Sequence, residues 1–229
     1  MLKAARVSLI DGGGDGGSRL AGVAVDLDDG WKTYWRKPGE SGIPPEFKWE
    51  GSRNLGAIDV LYPLPTRFDD AGGDAIGYKH RVVFPLRLTA IDVTAPIELA
   101  GSLFLGVCKE VCVPLKQTVA LSLPQRGVDQ GVASWIAKVP RRAVTPLPVS
   151  AGRLVKGGGM LQLRLSLASE VDDIFVETDG DAYFHKPLFE AGEAVIAVDN
   201  VTAGKLAGST LRLTVVTGGS GVEQSLPLA

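Results

Sequence analysis

Gly106-Val-Cys-Lys-Glu-Val-Cys-Val-Pro114 carries both cysteines of the 229-residue chain, Cys108 and Cys112, with three residues between them. Alternating apolar residues flank it, Ile97 to Leu105 before and Lys116 to Leu123 after. Alternation with a period of two reads as strand rather than helix. The cysteines therefore sit at or beside a tight connection between two antiparallel strands, of a length usual for hairpins. Cβ atoms facing each other across such a pair lie about 4.5–5.5 Å apart, and a disulfide needs roughly 3.5–4.5 Å. A bridge is feasible with little backbone movement. It would close only a few residues, and a disulfide stabilises less as its loop shortens. Short bridges near the surface are the ones that open and close. The spacing favours redox chemistry over a local staple. Two thiolates also suit Cu(I), whereas zinc asks for four ligands. The two histidines, His80 and His185, have no ligand-like spacing to the pair.

Composition narrows the class. Hydrophobic residues make up 45% and charged residues 22%, a globular balance. With a net charge of −2, nothing suggests nucleic-acid binding, which would show as a basic patch. No apolar run approaches the roughly 18–20 residues of a membrane span. Met1 to Arg6 lacks the apolar core of a secretory signal, so an exported protein is expected here in processed form. With 29 glycines, 14 prolines and many short alternating runs, the chain reads as all-β.

Taken in order, residues 4–10 and 19–27 read as strands, joined by the glycine-rich stretch 11–18, which lacks calcium-loop spacing and reads as a flexible hairpin loop. Residues 30–45 begin with Trp31, Tyr34 and Trp35 and end in turn chemistry. On a strand, Trp31, Thr33 and Trp35 share one face, and Lys32 and Tyr34 the other. Residues 47–49 and 57–61 read as short strands. Residues 67–78 are glycine-rich and acidic and read as a functional loop. Strand character resumes over 78–88, where Pro85 points to an edge or a bulge. Residues 128–139 have helical spacing, with Val128, Val132, Trp135, Ile136 and Val139 on one face, and Pro140 stops them. Residues 141–148 read as a linker. Beyond it, strands are expected at 160–167, 174–177, 194–198 and 211–216, spaced as in a small β-sandwich. His185, in an aromatic turn, reads as a surface residue. No serine–histidine, paired-carboxylate or phosphate-loop arrangement stands out.

The run Gly30-Trp-Lys-Thr-Tyr-Trp-Arg-Lys-Pro-Gly-Glu-Ser-Gly42, together with Cys-x-x-x-Cys-x-Pro, resembles the amino-terminal periplasmic domain of the DsbD family, and within it the ScsB branch, the suppressor-of-copper-sensitivity relatives. The resemblance covers about residues 4–124. The three-residue gap between the cysteines suits ScsB-like proteins, since DsbD has a longer one. It implies that residues 1–126 are an immunoglobulin-like domain acting as a periplasmic electron shuttle. With the strand pattern, the expected fold is all-β, two immunoglobulin-like β-sandwich domains, 1–126 and 149–229, joined by a short helix and linker over 127–148, with no cofactor and no metal expected. A membrane-embedded cysteine domain, absent from this chain, would reduce the shuttle. It would then reduce a thioredoxin-fold partner, ScsC- or DsbC-like. Carried over by position, Cys108 and Cys112 are the redox pair, and the second cysteine, Cys112, forms the mixed disulfide. In DsbD a cap loop bearing a Phe shields the pair. The corresponding stretch here, about Asp69 to Tyr78, has no Phe, which leaves Asp69, Asp70, Ile76 and Tyr78 as the surrounding residues. Tyr34 and Trp35 fall near the family's aromatic positions beside the cysteines.

The chemistry itself is thiolate attack through a mixed disulfide. Lys109 beside Cys108 favours the thiolate and Glu110 opposes it. With no helix N-terminus at the pair, no strongly acidified thiol is expected. Two alternatives stay open on the residues alone: a Cu(I)-binding module using the same thiolates, and a structural sandwich with an incidental disulfide.

Overall fold

Alternation in the first half of the chain resolves into two antiparallel sheets. The computed structural model describes residues 4–228 except 16, 41, 71, 72 and 158. One sheet holds β1 (Ala5–Asp15), β2 (Ser18–Leu27), β5 (Leu55–Val60), β8 (Arg81–Ala90) and β11 (Arg126–Asp129), in the order β11-β1-β2-β8-β5. The other holds β3 (Lys32–Gly39), β6 (Thr66–Asp70), β7 (Gly73–Lys79), β9 (Ile97–Cys108) and β10 (Cys112–Leu123), in the order β10-β9-β3-β7-β6, with β4 (Glu46–Lys48) paired to β9. Aromatic rings interlock between them. Phe84 of β8 meets Phe47 of β4 at 5.4 Å and Tyr78 of β7 at 5.5 Å, both edge-on. That arrangement suits the ring quadrupoles and adds about 0.5–1.5 kcal/mol per pair beyond area burial.

The outer face of β2 and β8 is apolar too, and a short helix covers part of it. Helix α1 (Val132–Ile136) buries Val132. Gly22 of β2 leaves the room: a Cβ there would stand 2.6 Å from Val83 Cγ1 and 3.1 Å from Val132 Cγ2. The helix is shorter than its spacing predicts. Gly131 sits at φ 103, which breaks the run, and the Asp129 carboxylate accepts the N–H groups of Val132 and Ala133. Val128 belongs to β11 and is exposed. The chain divides into compact units of residues 1–139 and 140–229, so the helix belongs to the first unit rather than to a connection.

Two further segments differ from their sequence reading. In the stretch read as a loop over 67–78, β6 and β7 pair antiparallel, with Phe68 opposite Ala75 and Thr66 opposite Gly77. The single strand expected over 78–88 is two, because His80 at φ 64 turns the chain from β7 in one sheet to β8 in the other. Pro85 lies inside a sheet, near the end of the β5 ladder. Its carbonyl accepts Leu61 N–H at 2.8 Å, just past the end of β5, so the one bond its missing N–H cannot return is at the margin of that pairing.

Residues 11–15 of the glycine-rich stretch continue β1, and Ser18 begins β2. The Asp11 carboxylate accepts Gly13 N–H and the buried Arg19 guanidinium, both at 2.8 Å, and Arg19 also donates to Gly14 O at 2.7 Å.

The second unit repeats the two-sheet plan. One sheet has β12 (Arg141–Arg142), β20 (Ser220–Pro227), β19 (Thr210–Thr217) and β15 (Asp173–Glu177) in that order. The other has β13 (Val149–Gly157), β14 (Met160–Leu167), β18 (Glu193–Asp199) and β16 (Tyr183–Phe184), with β17 (Leu188–Glu190) on β18. Leu163, Leu165, Ile174, Ile196, Leu211 and Leu213 fill its core. Both units are immunoglobulin-like β-sandwiches.

Asp11→Ala strands the Arg19 charge inside the first sheet. We expect a loss of about 3–5 kcal/mol in unfolding free energy, read as a lower urea midpoint for the first unit. An unchanged midpoint would show that the pair contributes nothing.

Candidate functional site

Strands β9 and β10 pair in register over 12 positions, from Ile97↔Leu123 to Cys108↔Cys112. Lys109, Glu110 and Val111 form the connection, closed by a Lys109 N–H bond to Val111 O. Residues directly opposite in an antiparallel pair share a face. Cys108 and Cys112 meet there with Cα atoms 4.1 Å apart and form a disulfide. The two sulfurs are not equivalent. Cys108 is 1% exposed, whereas Cys112 lies on the surface between Val111 and Val113, which are 71% and 43% exposed.

The cover over Cys108 comes from β3 and the segments that pack beside it. Lys32 is the register partner of Cys108, and Thr33 of Val107. Thr33 Oγ1 locks the two strands by donating to Gly106 O at 2.9 Å. Two residues on from Lys32, Tyr34 lies on the same face, fully buried, with its hydroxyl 3.4 Å from Cys112 Sγ. Its ring fits because its neighbours lack side chains. A Cβ at Gly42 would stand 2.7 Å from Tyr34 Cδ1, and one at Gly106 3.1 Å from Cδ2. A Cβ at Gly77 would meet Tyr34 Cα at 2.7 Å. The hairpin of β6 and β7 completes the cover, and Phe68, Ala75, Tyr34 and Cys108 form one buried cluster. The Phe68 ring carries two ammonium groups, Lys79 Nζ at 4.9 Å from its centroid and Lys32 Nζ at 5.7 Å. Among the described residues, no group of three His, Cys, Asp or Glu side chains could hold a metal ion.

The hairpin tip thus holds a disulfide between one buried and one exposed cysteine. The family model "Thiol:disulfide interchange protein DsbD, N-terminal" matches residues 3–124. The chain belongs to this DsbD amino-terminal family. The N-terminal periplasmic domain of ScsB from Proteus mirabilis is similar over the whole chain and 95% of that domain, at 25% identity and a TM-score of 0.76. The DsbD N-terminal domain of Neisseria meningitidis in its reduced form is 20% identical, covers 55% of this chain and 88% of that one, and has a TM-score of 0.33. No curated protein matches. Among the described residues no helix is long and apolar enough to cross a membrane.

In this DsbD-family domain the residues singled out from sequence separate onto two faces. Tyr34 reaches the pair. Trp35, its neighbour, alternates to the other face of β3 and is buried in the sandwich, with the Arg36 guanidinium 4.5 Å from its ring. Ile76 and Tyr78 likewise alternate away from Ala75 and Gly77, into the core, so they do not cover the cysteines. Asp69 and Asp70 end β6, and their side chains lie outside the described residues. Sequence reasoning missed Phe68 and Lys32. Phe68 lies one residue before the stretch that corresponds to the family's cap. The alternation that pairs Lys32 with Tyr34 was readable, but its consequence depends on knowing that β3 lies beside β9.

Tyr78 donates its phenol proton to Pro63 O at 2.7 Å. Burial holds its pKa well above the ordinary value, with Arg36 opposing and Tyr62 adding. The folded phenol keeps its proton after an unfolded one, near pH 10, has lost it. Its contribution to stability is therefore complete below about pH 10 and falls as pH rises further. As pH rises above about 10, the urea midpoint of the native protein should fall more steeply than that of Tyr78→Phe. At neutral pH the variant should be weaker by about 1 kcal/mol, for the lost hydrogen bond. Parallel curves would contradict the buried phenol.

Proposed function

We propose that this domain is a periplasmic electron shuttle, which exchanges its Cys108–Cys112 disulfide with dithiol proteins on either side of it. Electrons arrive from a membrane-embedded cysteine domain and leave to a thioredoxin-fold partner. The observation that carries this reading is the unequal exposure of the two cysteines, in a chain of the thiol:disulfide interchange family. The similarity to the periplasmic ScsB domain supports the compartment.

In the loading step, a donor thiolate attacks Cys112 Sγ, because that sulfur is open to an incoming chain. The Cys108–Cys112 bond breaks, and its electron pair leaves on Cys108 Sγ as a thiolate. The donor's second thiolate then attacks its own sulfur in the mixed disulfide and releases Cys112. The donor ends as a disulfide and this domain as a dithiol, two electrons and two protons richer. Unloading runs the same path backwards: Cys112 attacks the acceptor's disulfide, and Cys108 resolves the intermediate. The Tyr34 hydroxyl, 3.4 Å from Cys112 Sγ, is placed to donate to the thiolate form. Phe68 and Tyr34 shield Cys108, which keeps small thiols from the inner sulfur. Exposed Val111 and Val113 offer the partner apolar contact around the point of attack.

Equilibration of the intact chain with glutathione, read by alkylation and mass, tests the proposal. The expected potential lies at about −200 to −270 mV, among working dithiol couples. A value below about −300 mV marks a structural bridge and sinks the shuttle. In the same protein, Cys108→Ser should trap a thioredoxin-fold partner through Cys112, and Cys112→Ser should trap none.

A further inference from the structure

Lysine is seldom buried, and a buried ammonium acts strongly on whatever charge forms beside it. Lys32 is 8% exposed, and its register partner across β3 and β9 is Cys108. Cβ atoms of directly opposed residues lie about 4.5–5.5 Å apart and point to the same side of the sheet. Phe68, whose ring centroid lies 5.7 Å from Lys32 Nζ, also belongs to the buried cluster that holds Cys108. The one buried cysteine of the pair thus lies beside a buried lysine.

Resting on the redox reading of the pair, we infer that Lys32 is a positioning residue for Cys108, holding its thiolate in place as leaving group and as resolving nucleophile. In the disulfide, Cys108 is neutral. When a thiolate attacks Cys112, the electron pair of the broken bond moves onto Cys108 Sγ, inside the cover. A buried anion with no cation nearby is costly, and a leaving thiol of lower pKa departs faster. The lysine offsets the charge where it appears. In the reverse direction the same cation keeps Cys108 deprotonated, so that it attacks the mixed disulfide at Cys112. Cys112 needs no such partner, because water reaches it.

Other charged residues lie on the elements around the pair. Lys79, the register partner of Lys32 on β7, is exposed. Lys109 and Glu110 lie in the hairpin connection, with Lys109 Nζ donating to Asp29 O at 3.3 Å, and Asp28 and Asp29 lie in the turn before β3. Tyr34 comes from β3 itself, and β6 ends in Asp69 and Asp70. Lys32 differs from the other cations in being both buried and in register.

The test is the titration of Cys108 alone. In Cys112→Ser, the ultraviolet thiolate absorbance is followed against pH, with the Cys108→Ser, Cys112→Ser protein subtracted. Adding Lys32→Met should raise the Cys108 pKa by about one to three pH units, the effect of losing an opposite charge at this range. Lys32→Arg should restore it, and Lys79→Met should move it less. Should Lys32→Met fail to fold, Lys32→Gln carries the same expectation. The pH profile for release of glutathione from Cys112, in the protein with both cysteines, should shift by the same amount. A Cys108 pKa that Lys32→Met and Lys32→Gln leave in place overturns the inference, as does an equal response to Lys79→Met. If the wild-type potential still falls in the shuttle range, only the role of Lys32 is lost. If it falls below that range, the redox reading fails independently of the lysine.

Discussion

Twelve in-register pairs between β9 and β10 bring the two cysteines together, and the rest of the site depends on that register. A slip of one residue would send one sulfur to the core face and the other outward. The register holds because one face of β9 is buried in the sandwich through Leu99, Leu103, Leu105 and Val107. That burial leaves Cys108 on the opposite face, where a sheet would ordinarily meet water.

The outer face is not left to water. β3 pairs with β9 by only two residues before the chain bulges at Gly39 and crosses over to β4. This crossing brings Gly42 and Ile43 onto Tyr34 and Gly106, and the β6–β7 hairpin brings Phe68. Glycine at positions 42, 77 and 106 serves close approach, so that a tyrosine ring fits between strands where a Cβ would collide. The cover ends at the hairpin tip. Cys108 is sealed and Cys112 is open, and exchange chemistry acquires a direction because attack on a disulfide needs access to one sulfur.

The scaffold behind the site is rigid for reasons unconnected with the cysteines. Phe84 holds the two sheets through edge contacts to Phe47, Tyr62 and Tyr78. Arg19 and Asp11 fasten the far end of the first sheet. The disulfide closes a short loop and contributes little to this frame. Opening and closing it need not unfold the domain, which suits a bond that is broken in each cycle.

Much of this was legible in the residues. Period-two alternation identified the strands around the cysteines, because a strand with one buried face must alternate. The short spacing of Cys108 and Cys112 placed them at a hairpin, and the Trp-Lys-Thr-Tyr-Trp run with that pair pointed to the DsbD family. Alternation also put Lys32 and Tyr34 on one face and Trp35 on the other. Tertiary structure decided which faces meet. Whether Tyr34 or Tyr78 lies on the cysteines depends on strand order, and strand order is set by contacts far apart in the chain. His80 turns the chain between sheets with a positive φ that propensity does not favour, so the strand expected over 78–88 divides there. Phe68 and Lys32 matter only because β6 and β3 lie over Cys108. Local sequence determines the pleat of each strand; which strands become neighbours, and so which side chains share a site, is decided by packing of the whole domain.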